Sequence, residues 1–581
     1  MRYDFDPNSP EAGFVLGELE ASELSIDTET TGLEEHDRLF CVTISTDRHQ
    51  FYITRENLGG LRDVFADPNK LWFMQNAKFD MRMLANEGYP LQGRVTDITV
   101  MARLVRNDHL VYSLESQAVR FGEKKLDLVK KEIVEKKLYD IRPRRIGPPD
   151  KVPRYDWVNQ GLLKVYACVD ASLTYKMAQK YKSEFSEIDG NHWRVWNNEN
   201  ELTKVCFNME RRGMCIDVNY TRAGYAFQEL QSARLKKDFK AQTGLDFVDS
   251  AKLFEPIFTN LGEQIQRTAK GNPSFTGDVL EKYRHPLAEL VLEIRSSEKT
   301  ITTYYTNFIN MYVTHKDLPE HCGVIHPSMW QAGTKTGRFS YSDPNLQQLT
   351  KDEDSKDEYV VRGCFVPRPG KAFLAIDFSQ QEYRLMLAYA NETALIKAVM
   401  DGADVHQATA DLLGINRQQA KTLNFAILYG AGVEKISKML KCSVADARRF
   451  KLLYFMKLPK VEQFIDEVIR KGRSRGFVHN WFGRRLYTTR EHAYALPNHI
   501  IQSSGADVIK LSMNRIGPDA PMVLQVHDEL IFEVDPSEVE EKAKLYKGIM
   551  ESAFPAKNGM TLTTEATYST KSLAKRDFIK I

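Results

Sequence analysis

The chain has 581 residues, of which 42% are apolar and 27% charged; this is the composition of a soluble globular protein and predicts about two to four domains. A formal net charge of +2 excludes a globally acidic or basic protein. No apolar run reaches the length of a membrane span and the N-terminus lacks an apolar signal stretch, so we expect neither feature. Seven scattered cysteines without a CxxC pair argue against a disulfide framework or a zinc site and favour a reducing compartment.

The first 190 residues show the alternation of strands and helices of a mixed α/β domain. LSIDTET is predicted to be a strand, KLWFMQNAKFDMRMLANEG a strand followed by a helix, and GLLKVYACVDASLTYKMAQKYKSEF a helix. The proline-rich stretch DIRPRRIGPPDKVPRYDW is predicted to be a loop. From Arg120 to Arg154 the chain carries 12 Lys and Arg against 6 Asp and Glu. This excess indicates either a solvated basic loop or an edge that contacts phosphates.

The predicted secondary structure changes twice along the rest of the chain. Residues 190–310 are helix-rich and charged, and short strands appear from about residue 325. KAFLAIDFS and MVLQVHDELIFEV are predicted strands, and NRQQAKTLNFAILYG between them is a predicted helix. The sequence contains no GxxxxGK[ST] and no HExxH, so it has neither a P-loop nor that zinc-protease motif.

Four carboxylates in the first 180 residues follow a pattern typical of metal ligands. Asp27 and Glu29 are two apart on a predicted strand, so they point to one face and repel each other unless a cation lies between them. Asp80 and Asp170 follow, with Tyr166 one helical turn before the latter. An all-oxygen set suits Mg²⁺ or Mn²⁺, and two such ions promote phosphodiester cleavage. A DxE pair alone is more often a solvated strand end; the ordered set favours a metal site.

A second acidic pair is predicted near the C-terminus. Asp377 ends the strand FLAID, and Asp528 lies with His527 and Glu529 between the apolar flanks of LQVHDELIFEV. Taken alone, the first is also a good helix cap and the second an ordinary hairpin tip. If the two aspartates converge, the pair needs a cation or a proton, because like charges placed together are costly.

A helix between these strands carries an unusual stripe. Arg417, Lys421, Phe425 and Tyr429 are spaced by four and therefore lie within roughly 120° of one helix face. A core face would be apolar throughout, and a solvated face would not carry the two aromatic rings. Two cations followed by two rings fit a nucleoside triphosphate, with the cations on the phosphates and the rings beside sugar and base.

These motifs resemble those of a known family. DFSQQEYR, RQQAKTLNFAILYG and QVHDE resemble motifs A, B and C of the family A (DNA polymerase I family) DNA polymerases. TGRFSYSDPNLQQL resembles the stretch before motif A, and DVHQATA the segment that leads into the fingers. The DxE, Nx₃D and Yx₃D set, with Asn76 as its Asn, is similar to the Tyr-containing DEDD 3′–5′ exonucleases. The resemblance covers nearly the whole chain.

The resemblance implies an α/β multidomain fold. An RNase H-like DEDD exonuclease domain, 1–190, would be followed by a right-hand polymerase with a thumb at 191–310. The palm would comprise 311–390 and 500–581, and the fingers 391–499. The 5′-nuclease domain of the bacterial enzymes has no counterpart here, which is similar to phage replicative polymerases.

The resemblance also implies the roles of individual residues. The exonuclease metal ligands would be Asp27, Glu29, Asp80 and Asp170, with Tyr166 orienting the water. The polymerase metal ligands would be Asp377, Asp528 and the carbonyl of Phe378, with Glu529 secondary. The nucleotide contacts would be Gln380, Glu382, His406, Arg417, Lys421, Phe425 and Tyr429. The DNA contacts would be Arg338, Asn345, Gln347, Asn498, Gln502 and His527.

Three of these roles bear on selectivity. Glu382 matches the residue that blocks the ribose 2′-position, which favours deoxynucleotides. Phe425 lacks the hydroxyl that some relatives carry, so we expect discrimination against dideoxynucleotides. Arg338 resembles the residue that contacts the minor-groove edge of the new base pair. Tyr494 departs from the family pattern, since an Arg is common at this position, and the departure bears on template contacts and fidelity rather than on the metal ligands.

The implied activity is template-directed DNA synthesis with 3′–5′ proofreading, with two Mg²⁺ per active site and Mn²⁺ as a substitute. The implied partners are primer–template DNA, dNTPs and replisome proteins such as a helicase or a single-strand binding protein. We expect a monomer without a membrane partner. We expect no requirement for thioredoxin, because the 191–310 interval has no long insertion. The expected location is the cytoplasm, of the host if the source is viral, with an organelle as the alternative.

Two other functions are weighed. One is a 3′–5′ exonuclease whose C-terminal region only binds primer–template; the Asp377, Asp528, Arg417 and Lys421 set argues against it, because a binding module needs no carboxylates facing phosphate. The other is a single-subunit RNA polymerase, against which Glu382 argues. A weaker hypothesis gives the basic segment 120–154 a role in guiding single-stranded primer to the exonuclease.

Overall fold

The computed structural model describes residues 1–187, 191–349 and 358–579, so the last three residues of the predicted 1–190 domain lie outside its described part. Two sheets organise the described residues. One is a six-stranded mixed sheet near the N-terminus, and the other a five-stranded antiparallel sheet near the C-terminus. The expected mixed α/β class is confirmed. No helix within the described ranges is both long and apolar enough to cross a bilayer.

The N-terminal sheet has the order β1-β4-β3-β2-β5-β6, and β3 runs antiparallel to both of its neighbours. Its strands and the following hairpin are β1 (Arg2–Phe5), β2 (Glu23–Thr30), β3 (Leu39–Ser45), β4 (Gln50–Thr54), β5 (Leu71–Met74), β6 (Arg94–Asp97), β7 (Tyr139–Arg142) and β8 (Asp150–Pro153). The helices are α1 (Ala12–Glu18), α2 (Arg62–Ala66), α3 (Ala77–Asn86), α4 (Ile98–Val105), α5 (Leu114–Arg120), α6 (Leu128–Lys136) and α7 (Gln160–Glu187).

Strand β2 lies in the middle of this sheet, and α7 and α3 both pack against it. Most of β2 is therefore buried, as expected for a strand covered on both faces. The predicted strand LSIDTET, the strand-to-helix segment β5–α3 and the long helix α7 are all confirmed. Because α3 and α7 both pack against β2, Asp80 and Asp170 approach the acidic residues of the strand.

The prediction of a loop at residues 140–157 is wrong. Strands β7 and β8 pair antiparallel, from Tyr139 opposite Pro153 to Arg142 opposite Asp150. Ion pairs hold this hairpin: Arg142 binds Asp37 through both terminal nitrogens, at 2.8 and 2.7 Å. The apolar pattern that marks a strand is absent because charged contacts replace it, and Pro153 ends an edge strand, where proline is tolerated.

The remainder of the chain is largely helical around the second sheet. The helices are α8 (Asn191–Arg212), α9 (Val218–Thr243), α10 (Ala251–Asn260), α11 (Gly277–Leu280), α12 (Leu287–Thr300), α13 (Thr306–Met311), α14 (Gln381–Ala390), α15 (Thr393–Met400), α16 (Val405–Leu413), α17 (Arg417–Leu428), α18 (Val433–Leu440), α19 (Val444–Lys457), α20 (Pro459–Arg475), α21 (Leu496–Ile516) and α22 (Val539–Ser552). The strands are β9 (Met214–Asp217), β10 (Cys322–Ile325), β11 (Ser328–Trp330), β12 (Ser340–Ser342), β13 (Ala372–Phe378), β14 (Phe477–His479), β15 (Arg485–Tyr487), β16 (Met522–Val526), β17 (Glu529–Val534), β18 (Thr564–Ser572) and β19 (Lys575–Phe578).

The C-terminal sheet has the order β16-β17-β13-β18-β19 and every pairing is antiparallel. The predicted hairpin of LQVHDELIFEV is confirmed as β16, a tight turn and β17. Strand β13 lies between β17 and β18, so its apolar residues are buried in the largest core of the chain. Its polar end, Asp377, pairs in register with Glu529.

A buried charge network joins α8 to α21. Glu199 accepts a hydrogen bond from Lys510 at 2.5 Å, and Arg484 binds Asp507 at the same distance. Burial raises the pKa of Glu199, but Lys510 and Arg484 outweigh it, and the pKa of this carboxyl lies below its usual value. Buried charges paired in this way hold the two helices in one register, and α21 carries two of the predicted DNA contacts.

Candidate active sites

The four N-terminal carboxylates converge as predicted. Asp27 and Glu29 come from β2, Asp80 from the first turn of α3 and Asp170 from the middle of α7. Asp80 is tied to the strand, because its Oδ1 accepts hydrogen bonds from Thr28 N at 3.1 Å and Thr28 Oγ1 at 2.6 Å. The helix that carries Asp80 begins at Asn76 in the left-handed backbone region, with φ of 62°.

The local environment disfavours the charged form of all four acids. Burial, followed by the charge of Asp170, raises the pKa of Asp27 to about 7. Burial and the charges of Asp27 and Asp170 raise the pKa of Glu29 well above its usual value. Burial raises the pKa of Asp80 and of Asp170 as well. Clustered buried carboxylates of this kind require protons or cations.

One cation already contacts the cluster and was not predicted. Lys125, from the segment between α5 and α6, donates a hydrogen bond to Asp170 Oδ2. Its ammonium lies 5.1 Å from the centroid of the Tyr166 ring, a cation–π distance. The sequence could not single it out, because it is one of many basic residues between Arg120 and Arg154 and the contact spans 45 positions.

The donor chemistry of the N-terminal cluster fits divalent cations. All of its ligating atoms are carboxylate oxygens, which hard cations prefer. Asp170 Oδ1 is buried and has no hydrogen-bond partner of ordinary geometry among the described residues, although the Tyr166 hydroxyl lies near enough to lower the pKa of this carboxyl. Among the described residues, no three Asp, Glu, His or Cys side chains lie close enough together to hold one metal ion. Protein donors hold two of the carboxylates instead, Lys125 on Asp170 and Thr28 on Asp80.

The second acidic pair also converges as predicted. Asp377 lies near the end of β13 and Asp528 in the turn between β16 and β17, and Phe378 N donates to Asp528 O at 3.2 Å. Burial raises the pKa of Asp528 to about 6, and Glu382 adds to the rise while a hydrogen bond with Asp377 opposes it. His527 precedes the acid with φ of 54°, so the turn holds its backbone in the left-handed region.

Glu529 has a partner that the sequence did not indicate. Its carboxylate accepts a hydrogen bond from Arg576 on β19, although β13 and β18 lie between the two strands. Glu529 pairs in register with Asp377, so Arg576 places a positive charge beside the acidic pair. Only the order of the strands brings these residues together, and that order is not readable from local patterns.

Most of the stripe on α17 faces solvent. Arg417, Lys421 and Tyr429 are exposed and Phe425 is half-buried. The rings of Phe425 and Tyr429 lie nearly parallel, 6.3 Å apart at an angle of 18°. Arg417 Nη2 pairs with Asp404 Oδ2 at 2.9 Å, which orients the guanidinium.

Asp404 organises two more of the predicted nucleotide contacts. It caps α16 and accepts a hydrogen bond from Gln380 Nε2 at 3.3 Å. His406 is buried, and its Nδ1 accepts a hydrogen bond from Asn424 Nδ2 at 3.0 Å. Burial lowers the pKa of His406 to about 4, which favours the neutral ring at pH 7.

Glu382 lies between the acidic pair and the stripe. It accepts a hydrogen bond from Tyr429 at 2.9 Å and forms an ion pair with Arg338. Burial and the charge of Glu382 raise the pKa of Tyr429 to about 12, and Gln502 on α21 also reaches this hydroxyl. Arg338, Glu382 and Tyr429, which are predicted to contact the DNA or the nucleotide, therefore form one connected group.

Two of the other predicted DNA contacts, Gln347 and Asn345, lie at the turn that carries Asp528. Gln347 donates to Gln525 Oε1 at 2.8 Å and accepts from His527 N at 3.2 Å, so it fixes the shape of this turn. Asn345 Oδ1 accepts from Gln347 N at 3.1 Å. Asn498 is half-buried on α21, and its Oδ1 has no hydrogen bond within the described part of the chain.

The predicted basic segment is occupied by internal contacts. Arg142 binds Asp37, Arg144 binds Asp150, and Arg145 donates to the carbonyl oxygens at the end of α13. For these three arginines, the pairings favour a structural role over contact with phosphates.

Comparison with known proteins agrees with this geometry. The family model for DNA polymerase family A matches residues 226–572, and the model for a 3′–5′ exonuclease matches residues 11–185. The thermostable DNA polymerase I of Thermus aquaticus is 32% identical over 452 residues, which are 72% of this chain and 52% of the relative. The DNA polymerase I of Pseudomonas aeruginosa is 28% identical over 603 residues, 95% of this chain and 64% of the relative.

A solved structure shares the fold across the chain. The POL domain of Pol1 from M. smegmatis, in complex with DNA primer-template and dNTP, superposes with a TM-score of 0.81 over 99% of each chain at 23% identity. This chain spans about half the length of the first curated relatives that it matches. The polymerase model alone covers more than half of its residues, and so the chain belongs to DNA polymerase family A, with a 3′–5′ exonuclease domain before the polymerase domain.

Proposed function

We propose that this protein is a template-directed DNA polymerase that proofreads with its own 3′–5′ exonuclease. The observation that carries the proposal is the convergence of Asp377 and Asp528 beside Glu382 and the exposed stripe of α17. Residues 1–190 would be the exonuclease, 191–310 the thumb, 311–390 and 500–581 the palm, and 391–499 the fingers. Two of these boundaries, after 310 and after 499, fall inside helices α13 and α21.

In synthesis, the primer 3′-hydroxyl attacks the α-phosphorus of a dNTP and pyrophosphate leaves. When bound at Asp377 and Asp528, divalent cations would lower the pKa of the attacking hydroxyl and stabilise charge on the transferred group. Arg417 and Lys421 hold the triphosphate, and Asp404 keeps the guanidinium in place before the nucleotide arrives. Phe425 and Tyr429 pack beside the sugar and base.

In proofreading, a water oxygen attacks the terminal phosphodiester and the P–O3′ bond breaks. The leaving 3′-oxygen takes up a proton, which yields a nucleoside 5′-monophosphate and a shortened primer. Asp27, Glu29, Asp80 and Asp170 would hold divalent cations of the same kind, and the Tyr166 hydroxyl beside Asp170 orients the water. Burial of this site excludes bulk water from the reaction.

The substrates would be primer–template DNA and dNTPs, the molecules named for the M. smegmatis structure. Mg²⁺ is the proposed metal, with Mn²⁺ as a substitute, because the proposed ligand atoms of both sites are oxygens and most of them belong to carboxylates. We also propose that the enzyme is a monomer located in the cytoplasm. It would work with replisome proteins and would not require thioredoxin.

A gel assay on a labelled primer–template with Mg²⁺ tests this function. Wild type, Asp377→Ala and Asp27→Ala are each incubated with and without dNTPs, and with NTPs in a third series. We expect wild type to extend the primer with dNTPs and shorten it without them, and each variant to lose only its own activity. Shortening of the primer without any extension would support the alternative of an exonuclease whose C-terminal region only binds DNA. Efficient extension with NTPs would support the alternative of an RNA polymerase.

A further inference from the structure

Lys125 contacts the exonuclease cluster in a way that a surface lysine does not. Only 16% of its side chain and 5% of that of Asp170 are exposed. The ammonium group is held between the carboxylate of Asp170 and the ring of Tyr166, the two residues of α7 that serve the proposed reaction. Burying a lysine side chain to this extent is costly in free energy unless its charge is paired.

Lys125 lies outside the helices and strands of the N-terminal domain. Residues 121–127 contain no helix or strand, so the side chain reaches the cluster from an irregular segment between α5 and α6. Lysine has a flexible stem and three donors, which suits a charge that changes its partner. Its present partner, Asp170, is also a proposed metal ligand, so the ammonium and a divalent cation compete for the same oxygens.

The negative charge of the phosphodiester offers Lys125 a second partner. Two divalent cations balance the four carboxylates of the cluster, which leaves the phosphodiester anion to be matched, and its charge grows as the water attacks. The ammonium of Lys125 lies beside Asp170 and the Tyr166 ring, so it would be close to a phosphodiester bound at these residues, and Asp170 would not need it once a metal ion is bound.

We propose that Lys125 is a mobile catalytic cation of the exonuclease. It neutralises Asp170 while the cluster is free of metal, and it donates to a non-bridging oxygen of the scissile phosphate once divalent cations take the carboxylates. This inference rests on the proposed exonuclease activity, and it makes Lys125 a competitor of metal binding as well as a participant in cleavage.

Two measurements on Lys125→Met and Lys125→Arg test the proposal. The first is Mn²⁺ binding followed by electron paramagnetic resonance without DNA, in an Asp377→Ala background that removes the polymerase site. We expect Lys125→Met to bind Mn²⁺ about tenfold more tightly, because the competing ammonium is gone. The second is the single-turnover rate of primer shortening, which we expect to fall about 10²-fold in Lys125→Met and less in Lys125→Arg.

Lys124→Met is the matched control, since Lys124 is exposed and has no ion pair among the described residues. Primer extension by each Lys125 and Lys124 variant, made in the chain that keeps Asp377, reports that the fold is intact. Weaker Mn²⁺ binding in Lys125→Met would mean that this lysine only scaffolds the site, and an unchanged shortening rate would mean that it does not meet the phosphate; either result overturns the proposal. Absence of shortening by wild type would instead refute the exonuclease function, and the Mn²⁺ measurement would still report on the competition.

Discussion

The hydroxyl of Tyr429 donates a hydrogen bond to Glu382 Oε2 across 2.9 Å, and this bond links the stripe of α17 to an acid on the first turn of α14. Arg338 pairs with the other oxygen of the same carboxylate. A carboxylate held from two sides cannot rotate away from an incoming sugar, so the two contacts give Glu382 a fixed position. The selectivity that we propose for Glu382 therefore depends on its neighbours as well as on its own charge.

Glu382→Ala should reduce the preference for dNTPs over NTPs by about 10²-fold, because the space and the pairing that reject a 2′-hydroxyl are lost together. Tyr429→Phe keeps the ring and removes only the hydrogen bond, and it should reduce the preference by about tenfold. The ratio of kcat/KM for dCTP and CTP on one template measures both. An unchanged ratio in Glu382→Ala would remove this residue from sugar selection.

Arg576→Ala should destabilise the C-terminal sheet by about 3 kcal/mol, because it leaves the buried carboxylate of Glu529 without its cation. Glu529→Gln in the same chain should recover most of this loss, since no charge is then left unpaired. Chemical denaturation of the two single variants and the double variant measures the interaction. Additive losses would mean that the two side chains do not interact.

Arg145 joins the β7–β8 hairpin to the end of α13. Its Nη1 donates to the carbonyl oxygens of Ile309, Asn310 and Tyr312 at 3.0 to 3.1 Å, and its guanidinium lies 3.9 Å from the ring centroid of Tyr312. Arg145→Ala should therefore increase amide hydrogen exchange in residues 143–149 and 306–312 together. The neighbouring Arg144→Ala is the control, because Arg144 pairs with Asp150 inside the hairpin and should loosen the hairpin alone.

The sequence predicted those parts of the molecule whose signals are local. Asp377 at a strand end and Asp528 at a hairpin tip lie in patterned apolar segments, and their convergence followed from the resemblance to motifs A and C. The β7–β8 hairpin could not be predicted, since an ion pair between Arg142 and Asp37 replaces the apolar alternation of ordinary strands. The partners Lys125 and Arg576 could not be predicted for a related reason: the sequence does not indicate which distant residue a charged side chain will pair with.

His406 gives the protein a pH-dependent stability that can be isolated. Burial lowers the pKa of His406 to about 4; Asp404 opposes this shift, and Arg417 and Lys421 add to it. The unfolded chain binds a proton at this residue near pH 6.5, whereas the folded chain binds it only near pH 4. The unfolded state therefore holds more protons in this window, and the free energy of unfolding falls as the pH is lowered through it.

His406→Gln should remove this part of the pH dependence. Glutamine does not titrate and can still accept the hydrogen bond of Asn424, so the variant keeps the packing and loses the proton uptake. We expect the difference in unfolding free energy between wild type and His406→Gln to be constant above about pH 7 and to shift in favour of the variant between about pH 6.5 and pH 4. Urea denaturation at several pH values measures this difference. A difference that does not change with pH would mean that His406 titrates alike in both states and that its ring is not held neutral by burial.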